Sequence, residues 1–417
     1  MTAVLAVPET LSLADLLADR LRDTDAVWPA GPPPDGRFWP QSLAAGAAGI
    51  ALLHAERARS GRGDWDTARA WLSVATSGDV SAAGNASLFF GAPTLAFVLH
   101  IAASASHRYQ RALAALDSAT IAVTRDRLDQ ARARIDRAEQ PEIREFDLVR
   151  GLAGLAAYHV ACHPDHQITQ DVLAYLARLT EPLQGNGTLP PWWTSVAPNG
   201  EPSTDYPQGH GNFGMSHGIS AVLAVLSIAQ TRGLTPATAI TDAIARICAW
   251  TDRWRQGGPD TPWWPGLITI GQARASRIEP LLRPVPSWCY GVSGTARAQQ
   301  LAGLALGDPD RQQIAEAAML AVLRDPEQLG RLAEPGLCHG SSGLLYCAWR
   351  MSADALTPGI GEEVPKLAAR ITSKLAGGGR LADLGLLDGA AGVALALHTV
   401  GAGSAPAPYW DSFLALA

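Results

Sequence analysis

The strongest constraint on the fold is a motif that recurs seven times along this chain of 417 residues. In each copy, Gly-x-x-Gly or a close relative precedes an apolar run with the spacing of a helix. Repeats at such intervals are typical of stacked helix pairs. In two copies Thr94 and Ala221 replace the second glycine. The first glycines of the seven copies are Gly46, Gly91, Gly151, Gly218, Gly291, Gly340 and Gly389.

A second, more polar kind of helix is predicted before each copy, with one apolar stripe and one charged face. These helices are predicted at 11–21, 65–75, 107–138, 169–179, 235–251, 309–323 and 362–375. The motif helices carry almost no charge, so we expect them to be buried on all sides, and the glycines to let them start close together. We predict an all-α toroid of seven inner helices, opened by the Gly-x-x-Gly motifs, and seven outer helices. The alternative is an open helical solenoid, which would need polar capping repeats at its ends.

One segment interrupts the repeats. Residues 183–215 are rich in Gly, Pro and Asn, which predicts a functional loop or lid, with a hairpin at Pro198-Asn199-Gly200. A shorter Pro-rich stretch covers residues 28–40. Both are candidates for contact with a peptide. We predict a single domain over residues 1–417 with 183–215 as an insertion.

Charge and cysteine content exclude several classes of protein. The net charge is −6 with 17% charged residues, so no polyanion-binding surface and no nucleic-acid partner are expected. The five cysteines are an odd number and sparse, which is typical of a reducing compartment and not of a disulfide framework. The first residues do not resemble a signal peptide, and no apolar stretch reaches the roughly 20 residues of a membrane span. We predict a cytoplasmic protein without a transmembrane segment.

The residues that precede the seven first glycines should lie at one end of the toroid. Apolar helices have no packing use for polar groups there, so these residues indicate a functional site. They are Ala45, Phe90, Arg150, His217, Tyr290, His339 and Asp388.

Cys289 and Cys338 lie one residue further back, and Cys338 is followed by His339. Two thiolates and one imidazole match a catalytic zinc site with an open fourth position. Such a zinc is a weak Lewis acid for water but accepts another thiol and deprotonates it, which favours thiol alkylation over hydrolysis. Cys162, Cys248 and Cys347 are predicted to be ordinary buried residues.

Three segments resemble the lanthipeptide cyclase (LanC-like) family: SWCYGVSG at 287–294, LCHGSSG at 337–343 and NFGMSHGIS at 212–220. The family folds as an α/α toroid, and its members add a peptide cysteine to dehydroalanine or dehydrobutyrine to form a thioether ring. The chain departs from the family at Val285, where an arginine is common; Arg283 is the nearest substitute.

The resemblance implies one Zn²⁺ held by Cys289, Cys338 and His339. It implies an acid/base histidine at His217 and a catalytic aspartate at Asp147.

In the mechanism that this assignment suggests, the zinc-bound thiolate attacks the dehydro residue and an enolate develops. His217 then protonates the α-carbon, since an imidazole can donate and accept a proton near neutral pH. Asp147 orients His217, and Tyr290 or Arg283 stabilises the enolate oxygen. Two structural alternatives remain open: Asp147 as a helix cap, and Tyr290 as part of the cavity wall.

The implied substrate is a dehydrated precursor peptide. The implied partners are a dehydratase and a transporter, which would place the chain at the periphery of a membrane-bound complex. Two other functions remain open: an enzyme that adds glutathione or a protein thiol to dehydroamino acids, and a non-catalytic scaffold that binds the peptide.

Overall fold

The computed structural model describes residues 5–27, 39–103, 109–183, 189–234, 237–278, 283–377, 381, 383–404 and 410–417. Two compact units divide the chain. The first unit comprises Met1–Thr120 with Leu329–Asp411, and the second comprises Ile121–Gln328 with Ser412–Ala417. The single domain over 1–417 stays a prediction.

Helices account for nearly all regular structure of the described residues. In chain order they are α1 (Leu11–Asp19), α2 (Thr24–Val27), α3 (Ala47–Arg59), α4 (Trp65–Ala75), α5 (Ala92–Ala103), α6 (Gln110–Asp136), α7 (Ile143–Phe146), α8 (Leu152–Cys162), α9 (Gln167–Arg178), α10 (Ile219–Thr231), α11 (Ala237–Arg253), α12 (Ile270–Ala275), α13 (Val292–Leu306), α14 (Pro309–Leu323), α15 (Pro326–Gly330), α16 (Ser341–Asp354), α17 (Gly359–Ala376) and α18 (Ala390–Ala402).

Both predicted classes of helix are confirmed. The seven helices that follow the glycine motifs are α3, α5, α8, α10, α13, α16 and α18, here called the motif helices. They are buried nearly all round; in α10 every residue from Ile219 to Ala229 is buried. The amphipathic helices are α1, α4, α6, α9, α11, α14 and α17, close to the predicted bounds. The four short helices α2, α7, α12 and α15 were not predicted.

The helices do not pair as the sequence pattern suggested, with each amphipathic helix on the motif helix that follows it. Within the units, the motif helices α3, α8, α10, α13 and α16 each pack against the amphipathic helix that follows, whereas α18 packs against α1 at the other end of the chain. Consecutive motif helices also pack together, in the order α16, α18, α3, α5 in the first unit and α8, α10, α13 in the second. The amphipathic helices that pair in this way bury apolar residues against the motif helices, as in α1, where Ala14, Leu17 and Ala18 are buried.

The motif glycines are required mainly by their own turns, and less by close packing between helices, which was the expected reason. Each first glycine lies ahead of its helix, after a tight turn of the same chain. A Cβ on Gly340 would lie 2.4 Å from the nitrogen of Gly336, and one on Gly343 would lie 2.0 Å from the oxygen of Leu337. Close approach of a neighbouring repeat adds to this, since a Cβ on Gly392 would lie 2.8 Å from Cδ1 of Leu337. The small residues therefore permit the turns that carry the candidate site.

Part of the predicted loop is described. Residues 184–188 lie outside the described range, as do residues 28–38 of the Pro-rich stretch. At the expected hairpin, Gly200 (φ +87°) donates its N–H to the Ala197 oxygen at 2.9 Å, which closes a turn with no flanking strands. A strand does occur at the end of the segment: β1 (His210–Asn212) pairs antiparallel with β2 (Leu267–Thr269). None of the helices in the described residues combines the length and the apolar character that a membrane span requires.

Candidate active site

In the second unit, the turns that precede α8, α10 and α13 are joined in series by backbone hydrogen bonds. The N–H of Leu148 donates to the oxygen of Ser216 at 3.1 Å. Met215 and Ser216 in turn donate to the oxygen of Cys289, at 2.7 and 3.3 Å. Because every turn fixes the next, the residues beside them are held in register by the main chain.

This register brings the side chains of His217 and Asp147 into contact. Nδ1 of His217 lies 2.5 Å from Oδ2 of Asp147. Asp147 is fully buried, whereas the His217 side chain is 27% exposed. A buried carboxylate that accepts from Nδ1–H leaves Nε2 as the ring nitrogen available to a reactant, because it fixes the tautomer and the orientation of the ring.

Asp147 itself is held by its other oxygen. Oδ1 accepts the backbone N–H of Arg150 at 2.7 Å, so the carboxylate both closes the turn before α8 and holds His217. One side chain thus makes both a turn-closing contact and the predicted contact with His217, and its catalytic role stays a prediction. Arg127, on α6, donates to the Arg150 oxygen. Burial lowers the pKa of the Arg127 guanidinium, and the nearby Asp147 charge opposes that effect.

Tyr290 lies beside the pair. Its ring centroid is 6.2 Å from that of His217, and its backbone N–H donates to Oγ of Ser287 at 3.4 Å. The same Ser287 hydroxyl lies 3.4 Å from Sγ of Cys289, whose residue is only 7% exposed. The candidate acid/base group, the candidate enolate donor and one candidate zinc ligand therefore belong to one cluster of the second unit.

Arg283 forms an ion pair elsewhere. Its Nη1 lies 3.7 Å from Oδ2 of Asp325, in the segment between α14 and α15. Val285, at the position where the family often has arginine, accepts the Ser287 N–H at 2.7 Å through its backbone oxygen. Val285 therefore contributes a backbone hydrogen bond to the turn before α13. The role of Arg283 at the enolate stays a prediction.

In the first unit the same kind of series joins the turns before α16, α18, α3 and α5. Cys338 donates to the Leu387 oxygen at 2.9 Å, and Leu387 donates to the Ala44 oxygen at 3.0 Å. Leu43 then donates to the Phe89 oxygen at 3.0 Å. The series runs from the last repeats of the chain into the first without a break.

Here too the register brings functional groups together. Nε2 of His339 lies 3.4 Å from Oδ1 of Asp388, and both side chains are about half exposed. Each residue immediately precedes the first glycine of its repeat, so consecutive repeats place them side by side. A carboxylate near one ring nitrogen of a metal-binding histidine orients the ring and makes the other nitrogen a better ligand.

The predicted zinc ligands are divided between the units: Cys289 belongs to the second, and Cys338 and His339 belong to the first. Two sulfur donors and one nitrogen donor suit Zn²⁺ and leave its fourth position to a substrate. All five cysteines are free thiols. Cys248 and Cys347 are buried within helices, and burial raises the pKa of the Cys248 thiol to about 12, as expected of a residue that only packs.

Sequence reasoning named the seven residues at this end of the repeats but gave no role to Asp388. Its position in the same row as His339 was the available signal. Arg127 and Ser287 were missed. Arg127 is one of several arginines in a long amphipathic helix, where nothing in the sequence marks it. Ser287 is one ordinary serine of a loop.

The model of the family described as lanthionine synthetase C-like protein matches residues 37–415. The chain belongs to that family. It is 24% identical to the nisin biosynthesis protein NisC of Lactococcus lactis subsp. lactis over 211 residues, a match that spans about half of each protein (48% of both).

Among solved structures, this LanC-like chain is similar to a nisin cyclase, with a TM-score of 0.76 and 19% identity. That similarity covers 98% of this chain and 96% of the cyclase. It confirms the predicted fold class, an all-α toroid, and favours it over an open solenoid.

Proposed function

We propose that this LanC-like protein is a zinc-dependent lanthionine cyclase. The observation that carries the proposal is the buried Asp147 carboxylate on Nδ1 of His217, beside Tyr290 and Cys289. A scaffold that only binds peptide has no use for a histidine whose tautomer is fixed in this way. Similarity to NisC and to nisin cyclase supports the same reaction.

Zn²⁺ would be held by Cys289, Cys338 and His339, and would lower the pKa of a substrate thiol bound to it. The peptide thiolate then adds to the β-carbon of dehydroalanine or dehydrobutyrine, and the π electrons move toward the adjacent carbonyl. His217 delivers a proton from Nε2 to the α-carbon. The S–H bond has then been added across the C=C bond with no loss of mass.

The remaining residues position this proton transfer. Asp147 keeps His217 in the required tautomer and stabilises the ring when it carries two protons. The Tyr290 hydroxyl is a candidate donor to the enolate oxygen, which gains charge as the C–S bond forms. Arg283, which forms an ion pair with Asp325, is the alternative donor.

The decisive experiment uses the purified, zinc-loaded chain and a synthetic peptide with one dehydroalanine and one cysteine. Ring closure is measured as loss of the free thiol to alkylation with no change in peptide mass. We expect closure by the wild type and a loss of at least about 100-fold in His217→Ala, consistent with the usual size of acid–base contributions. Ring closure at the uncatalysed rate in the wild type would refute the cyclase.

A parallel reaction separates the two other candidate functions. With glutathione and a dehydroalanine peptide that lacks cysteine, adduct formation faster than ring closure would indicate an intermolecular thiol transferase. Binding of the cysteine peptide with neither reaction would indicate a scaffold.

We also propose a dehydrated precursor peptide as the natural substrate, a dehydratase and a transporter as partners, and a cytoplasmic site of action at the periphery of their complex. Co-purification of the tagged chain with a dehydratase from its native host tests the partnership.

A further inference from the structure

The first unit contains a second feature at the same end of its motif helices: a pocket of about 390 Å³ lined by Trp39, Pro40, Gln41, Asn85 and Phe90. We call it the Trp39 pocket. The Trp39 side chain is 60% exposed, the highest value for a large apolar side chain among the described residues. An indole costs free energy when it is left in water, so its exposure at a concave site indicates a ligand.

The walls of the pocket are built by the main chain. The rings of Trp39 and Phe90 meet edge to face, with centroids 5.5 Å apart. The Trp39 oxygen accepts from Ser42 at 2.8 Å, and the Phe90 oxygen accepts from Ser87 at 2.9 Å. Gln41 is held as well, because Nε2 donates to the Asp79 oxygen at 2.7 Å and Oε1 accepts from Ser81 N–H at 3.0 Å. The pocket is therefore preformed.

The lining selects the chemistry of the ligand. Two aromatic rings and one proline ring provide apolar contact, and the polar side chains among the described lining residues are the amides of Gln41 and Asn85. None of these described lining residues is charged. Such a surface favours an uncharged, apolar group whose backbone can hydrogen-bond to amides at the edge, which describes a peptide segment with a large apolar side chain.

Position links the pocket to the proposed reaction. Phe90 immediately precedes the first glycine of its repeat, as His339 and Asp388 do in theirs. The hydrogen-bonded series from Cys338 through Leu387 and Ala44 to Phe89 joins these turns without interruption. One edge of the first unit thus carries two of the candidate zinc ligands, Cys338 and His339, and the Trp39 pocket.

From these observations we propose that the Trp39 pocket binds a large apolar side chain of the dehydrated peptide, close in sequence to its ring-forming residues. The inference rests on the proposed function and adds to it a subsite that determines substrate preference. Dehydration supports the assignment chemically, because it removes the hydroxyls of Ser and Thr and leaves a more apolar segment around the reacting residues.

The test measures binding separately from reaction. The probes are fluorescently labelled ten-residue peptides of glycine with one dehydroalanine and a serine in place of the cysteine, so that no ring can form. One phenylalanine is moved through the other positions. By fluorescence anisotropy, the wild type should bind at least one phenylalanine peptide about tenfold tighter than the all-glycine parent, a typical effect of burying one aromatic side chain.

Trp39→Ala should remove that preference while the affinity for the all-glycine parent stays within about twofold. A second variant, Asn85→Asp, adds a charge at the exposed edge without removing an apolar wall, and should weaken the same peptide. Leu356→Ala, at an apolar side chain of the first unit that is 48% exposed, is the matched control and should bind like the wild type.

Equal affinity of wild type and Trp39→Ala for every peptide would overturn the subsite, as would no binding of any peptide to the wild type. Ring closure is assayed independently with the cysteine-containing peptides. A Trp39-dependent preference in a protein that closes no ring would support the subsite and refute the cyclase, so the two failures are distinct.

Discussion

Asp147 holds His217 by one carboxylate oxygen, Oδ2 to Nδ1 at 2.5 Å, and closes its own turn with the other. A single buried side chain therefore couples the shape of the turn before α8 to the orientation of the proposed proton donor. The two duties can be separated by substitution.

We expect Asp147→Asn to keep the turn, because the amide oxygen can still accept the Arg150 N–H. The same variant should lower kcat for ring closure at least about tenfold, because the negative charge beside His217 is lost. Asp147→Ala should show the same loss of kcat and also lower the free energy of unfolding by about 1–2 kcal/mol, since Arg150 N–H loses its partner. Chemical denaturation and steady-state kinetics provide the two values. Equal kcat in the wild type and Asp147→Asn would contradict the positioning role.

Zinc content tests the donor set directly. Cys338→Ala should reduce bound zinc from about one ion per chain to a small fraction, because two protein ligands do not retain the metal against a chelator. The matched control is Cys248→Ala, which removes a buried thiol whose pKa of about 12 keeps it protonated and unsuited to a metal. Metal analysis after dialysis against a chelator measures both variants. Zinc loss from Cys248→Ala alone would overturn the assignment.

Asp388 gives a subtler prediction about the same metal. Since Oδ1 lies 3.4 Å from Nε2 of His339, Asp388→Asn should keep stoichiometric zinc at high concentration but lower its affinity about 10- to 100-fold. Competition with a coloured chelator measures the affinity without any need for activity. Asp79→Asn, at another exposed aspartate of the first unit, should leave it unchanged. An unchanged zinc affinity in Asp388→Asn would show that Asp388 does not orient His339 for metal binding.

Three buried histidines predict how stability depends on pH. Burial lowers the pKa of His54, His210 and His398 from 6.5 to about 4. Above pH 6.5 these histidines are neutral in both states, so their full contribution to stability is present there. As the pH falls toward 4, the unfolded chain takes up protons that the folded chain excludes, and stability is lost at about 1.4 kcal/mol per pH unit for each histidine.

Urea denaturation at pH 7 and pH 5 measures this slope. His54→Gln should reduce it by about one histidine's share, because glutamine does not titrate and can still donate to the Leu21 oxygen that His54 contacts at 3.0 Å. A slope equal to that of the wild type would mean that His54 is protonated in the folded protein.

The turn glycines predict a further pair of variants. Gly340→Ala should cost about 1–3 kcal/mol and lower zinc affinity, because a Cβ would lie 2.4 Å from the Gly336 nitrogen in the turn that carries Cys338 and His339. Gly361→Ala, in the first turn of α17, meets only a Ser352 Cβ at 3.9 Å and should stabilise the helix by about 0.5–1 kcal/mol. Thermal unfolding compares them; a neutral Gly340→Ala would contradict the steric account.

Both helix classes, and the residues that precede the motif glycines, could be predicted from the sequence. They depend on local periodicity and on glycine positions, which can be recognised in a single sequence. His217 is one of those residues, and Asp147 was found only through the family resemblance. Long-range pairings were not predictable. Nothing in the pattern of α1 says that it packs on α18, and the Arg283–Asp325 ion pair joins two loops whose proximity depends on how intervening helices pack.

The pairing of α1 with α18 has a consequence for synthesis. During translation, the apolar stripe of residues 11–19 leaves the ribosome long before its partner at residues 390–402 exists. The second unit, almost continuous in sequence, can assemble its helix pairs as they emerge, whereas the first unit remains open until its last repeats arrive. We therefore expect α1 to be the segment that chaperones protect longest, and the last to gain protection from hydrogen exchange during refolding.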